Sequence, residues 1–366
     1  MAELQANARA RVVRPEPALS TVDPLLRDYR PQPTIRVAEH KVLRARFPAI
    51  DFHNHLGRWL TDDGNWAVTS VSTLVGIMDR CNVQGVVNLD GRWGDELEAN
   101  LDRYDRAFPG RFFTFCHMDG SVMDREDFPQ LIIEGLHASA AAGAKGLKVW
   151  KDLGLRIRDG RGELILPDDE RLDAVWDAAG QLGLPVLIHT ADPVAFFRAA
   201  DCHNERLEEL MEHPEWHFAG PNFPRFERLI KALENVVSSH PNTTFIGAHV
   251  GCYPENLDWV HAMLLKYPNF YVDIAGRLAE LGRQPRAARR LVVAHPDRVL
   301  FGTDLLPIDL EEYRIYFRFL ETDDECFAHS TYEIQYQGRW PIAAIALNDG
   351  LLRKVYQENA AALLGL

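Results

Sequence analysis

The chain has 366 residues, 46% hydrophobic and 25% charged, which is enough apolar material for a large buried core. A formal net charge of −13 argues against nonspecific nucleic-acid binding, and no apolar run approaches the roughly 18 residues of a membrane span. The N-terminus has no apolar stretch of a secretory signal, and Cys81, Cys116, Cys202, Cys252 and Cys326 form no C-x-x-C pair, so a reduced, soluble, cytoplasmic protein is expected.

Residues 1–45 are rich in Arg and Pro and show little periodicity. They read as an arm wrapping the domain or a neighbouring subunit, with a homodimer as the expected assembly. Residues 46–366 read as one catalytic domain. Short apolar runs in it predict strands at 48–55 ("PAIDFHNH"), 84–91, 112–120, 144–151, 184–190, 243–251, 269–276 and 298–306. Amphipathic stretches between them predict helices, among them 70–81, 95–108, 168–183 and 255–267. Asp168 and Asp169 are candidate N-caps of the third. Eight β-then-α alternations predict an α/β fold, a (β/α)8 TIM barrel. An open doubly wound sheet is the alternative, but no strand runs into a G-x-G-x-x-G turn. Long insertions after strand 5 (191–224) and strand 8 (307–340) leave the C-terminal ends of strands, where barrel active sites are built. They are expected to wall or cover a pocket, with Phe196, Phe197, Trp216 and Phe218 either lining that lid or packing the insertion against the barrel.

Polar residues stand where the apolar runs stop. Strand 1 supplies His53 and His55, strand 4 Lys148, strand 5 His189, strand 6 His249 and strand 8 Asp304. Two histidines one residue apart on a strand point the same way. A single strand-end His is more often a satisfied hydrogen-bonder, and Asp304 could merely cap the next helix. Taken as one ring, however, these residues predict a catalytic metal site with a position left for water. Gly146, Gly247 and Gly302 lie one inward layer below Lys148, His249 and Asp304, leaving room for the polar groups above or merely compensating in packing.

The segments "DFHNH", "VLIHT", "FIGAHVG", "VLFGTD" and "VYQENAAALLGL" together resemble the amidohydrolase superfamily. The similarity is greatest to its amidohydrolase-related branch, which holds amino-carboxymuconate-semialdehyde decarboxylase and metal-dependent lactone hydrolases, and it spans roughly 48–366. The resemblance implies that His53, His55, His189 and Asp304 hold one divalent ion, zinc first, with manganese or another divalent ion as alternatives. It implies a catalytic His249. In two-metal members a carboxylated lysine bridges the ions, and Lys148 stands near that place; with one ion it either faces the substrate or supports a metal ligand from behind. Lys151, of opposite parity, is expected to face solvent.

Such an ion lowers the pKa of water toward neutrality. Asp304 then accepts and returns a proton, and His249 donates a hydrogen bond to the carbonyl oxygen. The expected function is hydrolysis of a lactone, ester or amide in a small, anionic organic substrate. The alternative is non-oxidative decarboxylation of an aromatic or muconate-type acid. Arg58 and Trp59 after strand 1, Arg92 and Trp93 after strand 2, and Arg277 after strand 7 are the candidate substrate contacts.

Overall fold

The computed structural model describes residues 31–366 except Asp62, Pro307 and Ile334, together with Asp23, Leu25, Asp28 and Tyr29. The first part of the expected arm, residues 1–22, lies outside the described residues. Met1–Arg36 and Val37–Leu366 are separate units, and the second carries the strands.

Each predicted strand run contains a strand. These are β1 Ala49–Asn54, β2 Val83–Asn88, β3 Phe112–Thr114, β4 Cys116–His117, β5 Leu147–Val149, β6 Val186–Ile188, β7 Phe245–Gly247, β8 Phe270–Asp273 and β9 Val299–Leu300. The third predicted run is split at Phe115 into β3 and β4. All neighbours pair in parallel, in the orders β1-β2-β3 and β4-β5-β6-β7-β8-β9. Phe52 N–H donates to Phe301 C=O at 2.9 Å and Asp304 N–H to His53 C=O at 2.8 Å, linking the last stave to the first. Parallel strands buried on both faces read as unbroken apolar runs, which is why this sequence exposed them.

Two layers of apolar packing follow from the strands' two faces. Ile50, Phe52, Val87, Leu89, Phe113, Phe115, Leu187, Ile246 and Leu300 form an inner cluster, joined by Ala360 and Leu364 of the C-terminal helix. The larger outer cluster lies between strands and helices and includes Tyr104, Trp176, Phe245, Phe301 and Phe317. Trp176 is fully buried, packs edge-on against Phe245 at 6.2 Å and donates from Nε1 to Pro167 C=O at 3.2 Å. We expect Trp176→Ala to lose about 3–5 kcal/mol of stability, read from the urea midpoint of unfolding. A midpoint within error of wild type would show that this layer does not support the barrel.

The helices show where local signals succeed. Ser70 caps Val71–Cys81 by accepting from Thr73 N–H at 3.2 Å. The run at 95–108 becomes an α-helix at Gly94–Leu101 and a π-helical turn at Asp102–Arg106, in which Asp105 accepts from Thr114 N–H at 2.9 Å. Of the two predicted caps, Asp169 accepts from Arg171 N–H at the start of a 3-10 turn, while Asp168 pairs with Arg228. The segment predicted as an insertion at 307–340 begins with a regular helix, Leu310–Glu321, whose Tyr313, Tyr316, Phe317 and Leu320 pack inward at helical spacing. The irregular remainder is tied to the strand-5 insertion by Arg339, whose guanidinium grips Glu208 at 2.7 and 2.5 Å.

Candidate metal centre

The pleat of β1 is irregular between Asp51 and Asn54. Asp51 points out toward the Leu310–Glu321 helix, accepting from Tyr313 Oη–H at 2.8 Å and from Thr303 Oγ1–H at 2.6 Å. His53 and His55 both turn inward, with ring centres 5.5 Å apart. Asp304, from the segment after β9, meets them there. Its Oδ1 lies 3.3 Å from His55 Nε2 and 3.7 Å from His53 Nε2, and its Oδ2 lies 3.8 Å from His249 Nε2. One donor atom each from His53, His55 and Asp304 fits within 4.8 Å.

Two buried carboxylates aim the imidazoles. His53 Nδ1–H donates to Asp273 Oδ2 and His55 Nδ1–H to Asp90 Oδ1, both at 2.8 Å. Each ring therefore presents the Nε2 lone pair to the shared centre, the tautomer that metal ligands need. Asp273 also accepts from His249 N–H at 2.8 Å and Ala275 N–H at 3.0 Å. Asp90 is reached because Gly57 leaves space: a Cβ there would lie 2.6 Å from Asp90 Cβ. His53, His55, Asp273, Asp90 and His249 are buried, so the donor set fits a divalent ion held at the barrel mouth.

The electrostatics agree with a cation-binding centre. Burial opposes charge on His55, but Asp90 and Asp304 raise its pKa to about 9, so a proton can stand where a cation would. Burial also works against the Asp304 carboxylate, yet His53, His55 and His249 hold it well below the usual carboxylate range. His53 and His249 are driven down, each chiefly by burial, then by the charge of Lys148 and Arg277 respectively. Burial pushes Lys148 down to about 8 against the pull of Asp304 and Asp273.

Backbone strain collects at the same place. His249, Asp304 and Arg92 adopt left-handed φ of 55°, 60° and 59°. Such conformations in non-glycine residues cost about 1–3 kcal/mol each and cluster at functional sites.

Not every predicted residue joins this centre. His189 lies beside it, its ring centre 4.5 Å from that of His249, but its Nε2–H donates to Asp192 Oδ1 at 3.1 Å. It does not fall within the group formed by His53, His55 and Asp304. Lys151, expected to face solvent, instead reaches Asp192 Oδ2 at 2.5 Å, because the chain turns at once after β5 and pleat parity no longer applies. Lys148 Nζ sits 3.4 Å from His53 Nε2 and 4.9 Å from the Trp150 ring centre. Of the three glycines, only Gly302 serves the centre directly: a Cβ there would lie 3.0 Å from His53 Cβ. Gly146 makes room for the Phe115 ring and Gly247 for Gly251 and Phe270, which is packing compensation.

A cavity of 310 Å³ opens beside Lys148, walled by Trp59, Arg92, Trp93, His117, Met118 and Trp150. Trp59 packs on Trp150 at 4.6 Å, and Trp150 lies 4.9 Å from His55, so the aromatic wall runs up to the centre. Arg58 is not part of that wall. It is exposed and grips both oxygens of Glu96, at 2.7 and 3.0 Å, because helix Gly94–Leu101 presents that carboxylate to it. Arg277 is buried, donates from Nη1 to Gly276 C=O at 2.7 Å and bears electrostatically on His249. In the strand-5 insertion Phe196 stacks on Trp216 at 6.1 Å and Phe197 packs on Phe218 at 5.4 Å, in one apolar cluster with Leu155, Phe226, Leu229 and Cys252 from outside the insertion, so these aromatics pack it against the barrel.

Sequence reasoning missed Asp90, Asp273, Asp192, Trp150 and His117. A signal existed for the first two. "VVNLDG" and "FYVDIAG" each end an apolar run with a carboxylate, and a cage of imidazoles needs orienting carboxylates.

A parallel α/β fold with its polar centre at the C-terminal strand ends places that centre where barrel enzymes build their active sites. The family model for amidohydrolase matches residues 97–366, and the chain belongs to that family. The matched span begins after β1, so His53 and His55 lie outside it. A search of curated proteins by sequence finds no match. Solved structures agree on the fold. The 2,6-dihydroxybenzoate decarboxylase structure has a TM-score of 0.56 at 16% identity, covering 87% of this chain and 100% of that one. The 5-carboxyvanillate decarboxylase of Sphingomonas paucimobilis has a TM-score of 0.51 at 12% identity, covering 89% and 100%. A Pseudomonas putida protein assigned as a 2-pyrone-4,6-dicarboxylic acid hydrolase has a TM-score of 0.51 at 14% identity, covering 87% and 98%. The expected superfamily and fold class are thus borne out, with hydrolases and decarboxylases both among the structural neighbours. Among the described residues no helix is long and apolar enough to cross a membrane.

Proposed function

We propose that the protein is a metal-dependent hydrolase that cleaves a C–O or C–N bond in a small organic acid carrying a lactone, ester or amide. The observation that carries this reading is the Asp304 carboxylate facing three imidazole Nε2 atoms, those of His53, His55 and His249. His53, His55 and Asp304 are the proposed ligands of one ion. His189 is the proposed fourth, joining when Asp192 releases its Nε2 and keeps its pairing with Lys151. Zinc suits this nitrogen and oxygen donor set, and manganese is the next choice. A single ion leaves Lys148 as a free ammonium facing the cavity, which its position on the cavity wall supports.

A bound divalent ion supplies Lewis acidity that brings the pKa of water toward neutrality. The chain's own residues then move the protons. Asp304 accepts the proton of the attacking water and returns it to the departing oxygen or nitrogen. His249 Nδ1–H is bound to Ala275 C=O at 2.8 Å, so its Nε2 meets the centre as an acceptor. In that tautomer it can accept a hydrogen bond from the attacking water or from protonated Asp304 and cannot donate one to a developing oxyanion, a change from the donor role expected from sequence. Trp59, Arg92 and Trp93 are the proposed substrate contacts on the cavity wall, and Arg277 is proposed as a further cation behind His249. Arg58 is not, given its pairing with Glu96.

One observation favours the second reading, decarboxylation. The Lys148 ammonium has no carboxylate within ion-pair distance among the described residues and stands beside His53, where a substrate carboxylate would be held against the cage. The deciding experiment loads the protein with zinc or manganese and offers lactones, esters and amides of small acids alongside hydroxybenzoic acids. Hydrolysis that stops with a chelator and returns with the ion is expected; carbon dioxide release without hydrolysis would move the assignment to the lyase. Activity unaffected by chelation, with no metal by elemental analysis, would remove both. All five cysteines are free thiols, which supports a reducing, cytoplasmic setting.

A further inference from the structure

The hydroxyl of Tyr316 lies between the segments that carry His249 and Asp304. Tyr316 stands on the inward face of helix Leu310–Glu321 and is buried, its ring edge-on to Phe301 at 6.1 Å. Its Oη accepts from Gly276 N–H and donates to Thr303 C=O, each at 2.9 Å. Gly276 N–H belongs to the same planar peptide group as Ala275 C=O, which accepts from His249 Nδ1–H at 2.8 Å. Thr303 C=O belongs to the same peptide group as Asp304 N–H, which donates to His53 C=O at 2.8 Å. One run of hydrogen bonds therefore leads from the His249 ring, through two peptide groups and Tyr316, to the His53 backbone.

Every bond in that run points the same way, so each group polarises the next. A His249 proton on Nε2 alone would set the bare Nδ1 against Ala275 C=O, two acceptors at 2.8 Å. His249 and Asp304 hold left-handed φ of 55° and 60°, conformations that persist only where surrounding contacts enforce them. The Ala275–Gly276 peptide backs both side chains closely: a Cβ on Gly276 would lie 3.6 Å from Asp304 Oδ2 and 3.7 Å from His249 Nδ1. Gly276 N–H also approaches Thr303 C=O at 3.1 Å, and without the hydroxyl that longer bond alone would join the two peptides. The neighbouring Tyr313 hydroxyl differs. It ends on Asp51, which holds Thr303 but not the Ala275–Gly276 peptide.

We infer that Tyr316 is a positioning residue for both His249 and Asp304, holding the first with its proton on Nδ1 and the second in its left-handed turn. This rests on the proposed reading in which those two residues handle protons at the centre. It adds helix Leu310–Glu321 to the site, through a hydroxyl that reaches backbone groups alone.

The test compares wild type, Tyr316→Phe and Tyr313→Phe, each made with isotope-labelled histidine and loaded with zinc or with cobalt. Nuclear magnetic resonance of the zinc form reads which His249 nitrogen carries the proton and how fast that proton exchanges with water. The visible spectrum of the cobalt form reads the placement of the Asp304 carboxylate. Wild type should carry the His249 proton on Nδ1. Tyr316→Phe should keep its fold and metal while that proton exchanges about tenfold faster, the fold-change of one lost hydrogen bond, and the cobalt bands shift. Tyr313→Phe, which loses a buried hydroxyl from the same helix, should keep the exchange rate within about twofold of wild type. A wild-type proton on Nε2, or a Tyr316→Phe protein whose proton exchange or cobalt bands match wild type, would overturn the inference. So would an equal effect of Tyr313→Phe on the His249 proton, the mark of a helix loosened as a whole. None of these readouts needs a substrate, so a protein that hydrolyses nothing would remove the proposed function without deciding the role of Tyr316.

Discussion

Asp304→Asn is expected to retain the fold and the bound metal while turnover falls about 10²–10⁴-fold, the usual contribution of a positioned proton carrier. The amide keeps the shape of the carboxylate and one coordinating oxygen. The Asp304 N–H to His53 C=O bond that seats the residue is a backbone contact and survives the change. What is lost is the basic oxygen. In the native centre the carboxylate is held ionised against its burial by His53, His55 and His249. An amide cannot accept a proton from water or pass one to a leaving group. The measurements are kcat at saturating substrate and metal content by elemental analysis on the same preparation. A variant with full turnover would take Asp304 out of proton transfer; one that lost metal and turnover together would make it a ligand only.

Asp273→Ala should weaken metal binding about 10–100-fold, though Asp273 is not itself a proposed ligand. Its carboxylate holds the His53 ring through Nδ1 at 2.8 Å and the His249 backbone through its N–H at the same distance. Removing it frees the His53 ring to rotate and releases the strained loop that presents His249. It also leaves three buried donors, on His53, His249 and Ala275, without an acceptor. Each such donor costs about 1–3 kcal/mol, so the metal-free variant should unfold at clearly lower urea. Asp90→Ala is the matched control, because Asp90 holds the His55 ring and the Gly57 N–H but makes no contact with the His249 loop. It should weaken metal binding similarly and leave the His249 loop in place. Zinc affinity by competition calorimetry separates the outcomes: an Asp273→Ala protein that binds zinc as tightly as wild type would show that the His53 ring needs no such support.

The chain order of the barrel was legible because its strands are buried on both faces. Runs such as "VLIHT" and "FIGAHV" are apolar until the residue that reaches the mouth, so the polar terminus of each run marks a candidate site residue. His53, His55, Asp304 and His249 were found in this way, and they do converge. The same logic failed as soon as the strand ended. Lys151 was read from pleat parity, but two residues past β5 the chain has turned and its ammonium meets Asp192. The helix Leu310–Glu321 was folded into a supposed insertion although its apolar positions recur at helical spacing.

The local pattern of apolar runs, amphipathic stretches and strand-end histidines therefore determined the α/β barrel, its direction and the location of its polar centre. Only the tertiary structure decided what each polar group does there. Arg58 and Arg92 are both arginines followed by tryptophan; one is spent on Glu96, 38 residues away, and the other has no partner among the described residues. His53 is aimed by Asp273, 220 residues along the chain, and His189 is turned toward Asp192. The physical reason is range. Strand and helix patterns are set by neighbours along the chain, whereas a hydrogen bond or ion pair is settled by which groups the fold brings within about 3 Å.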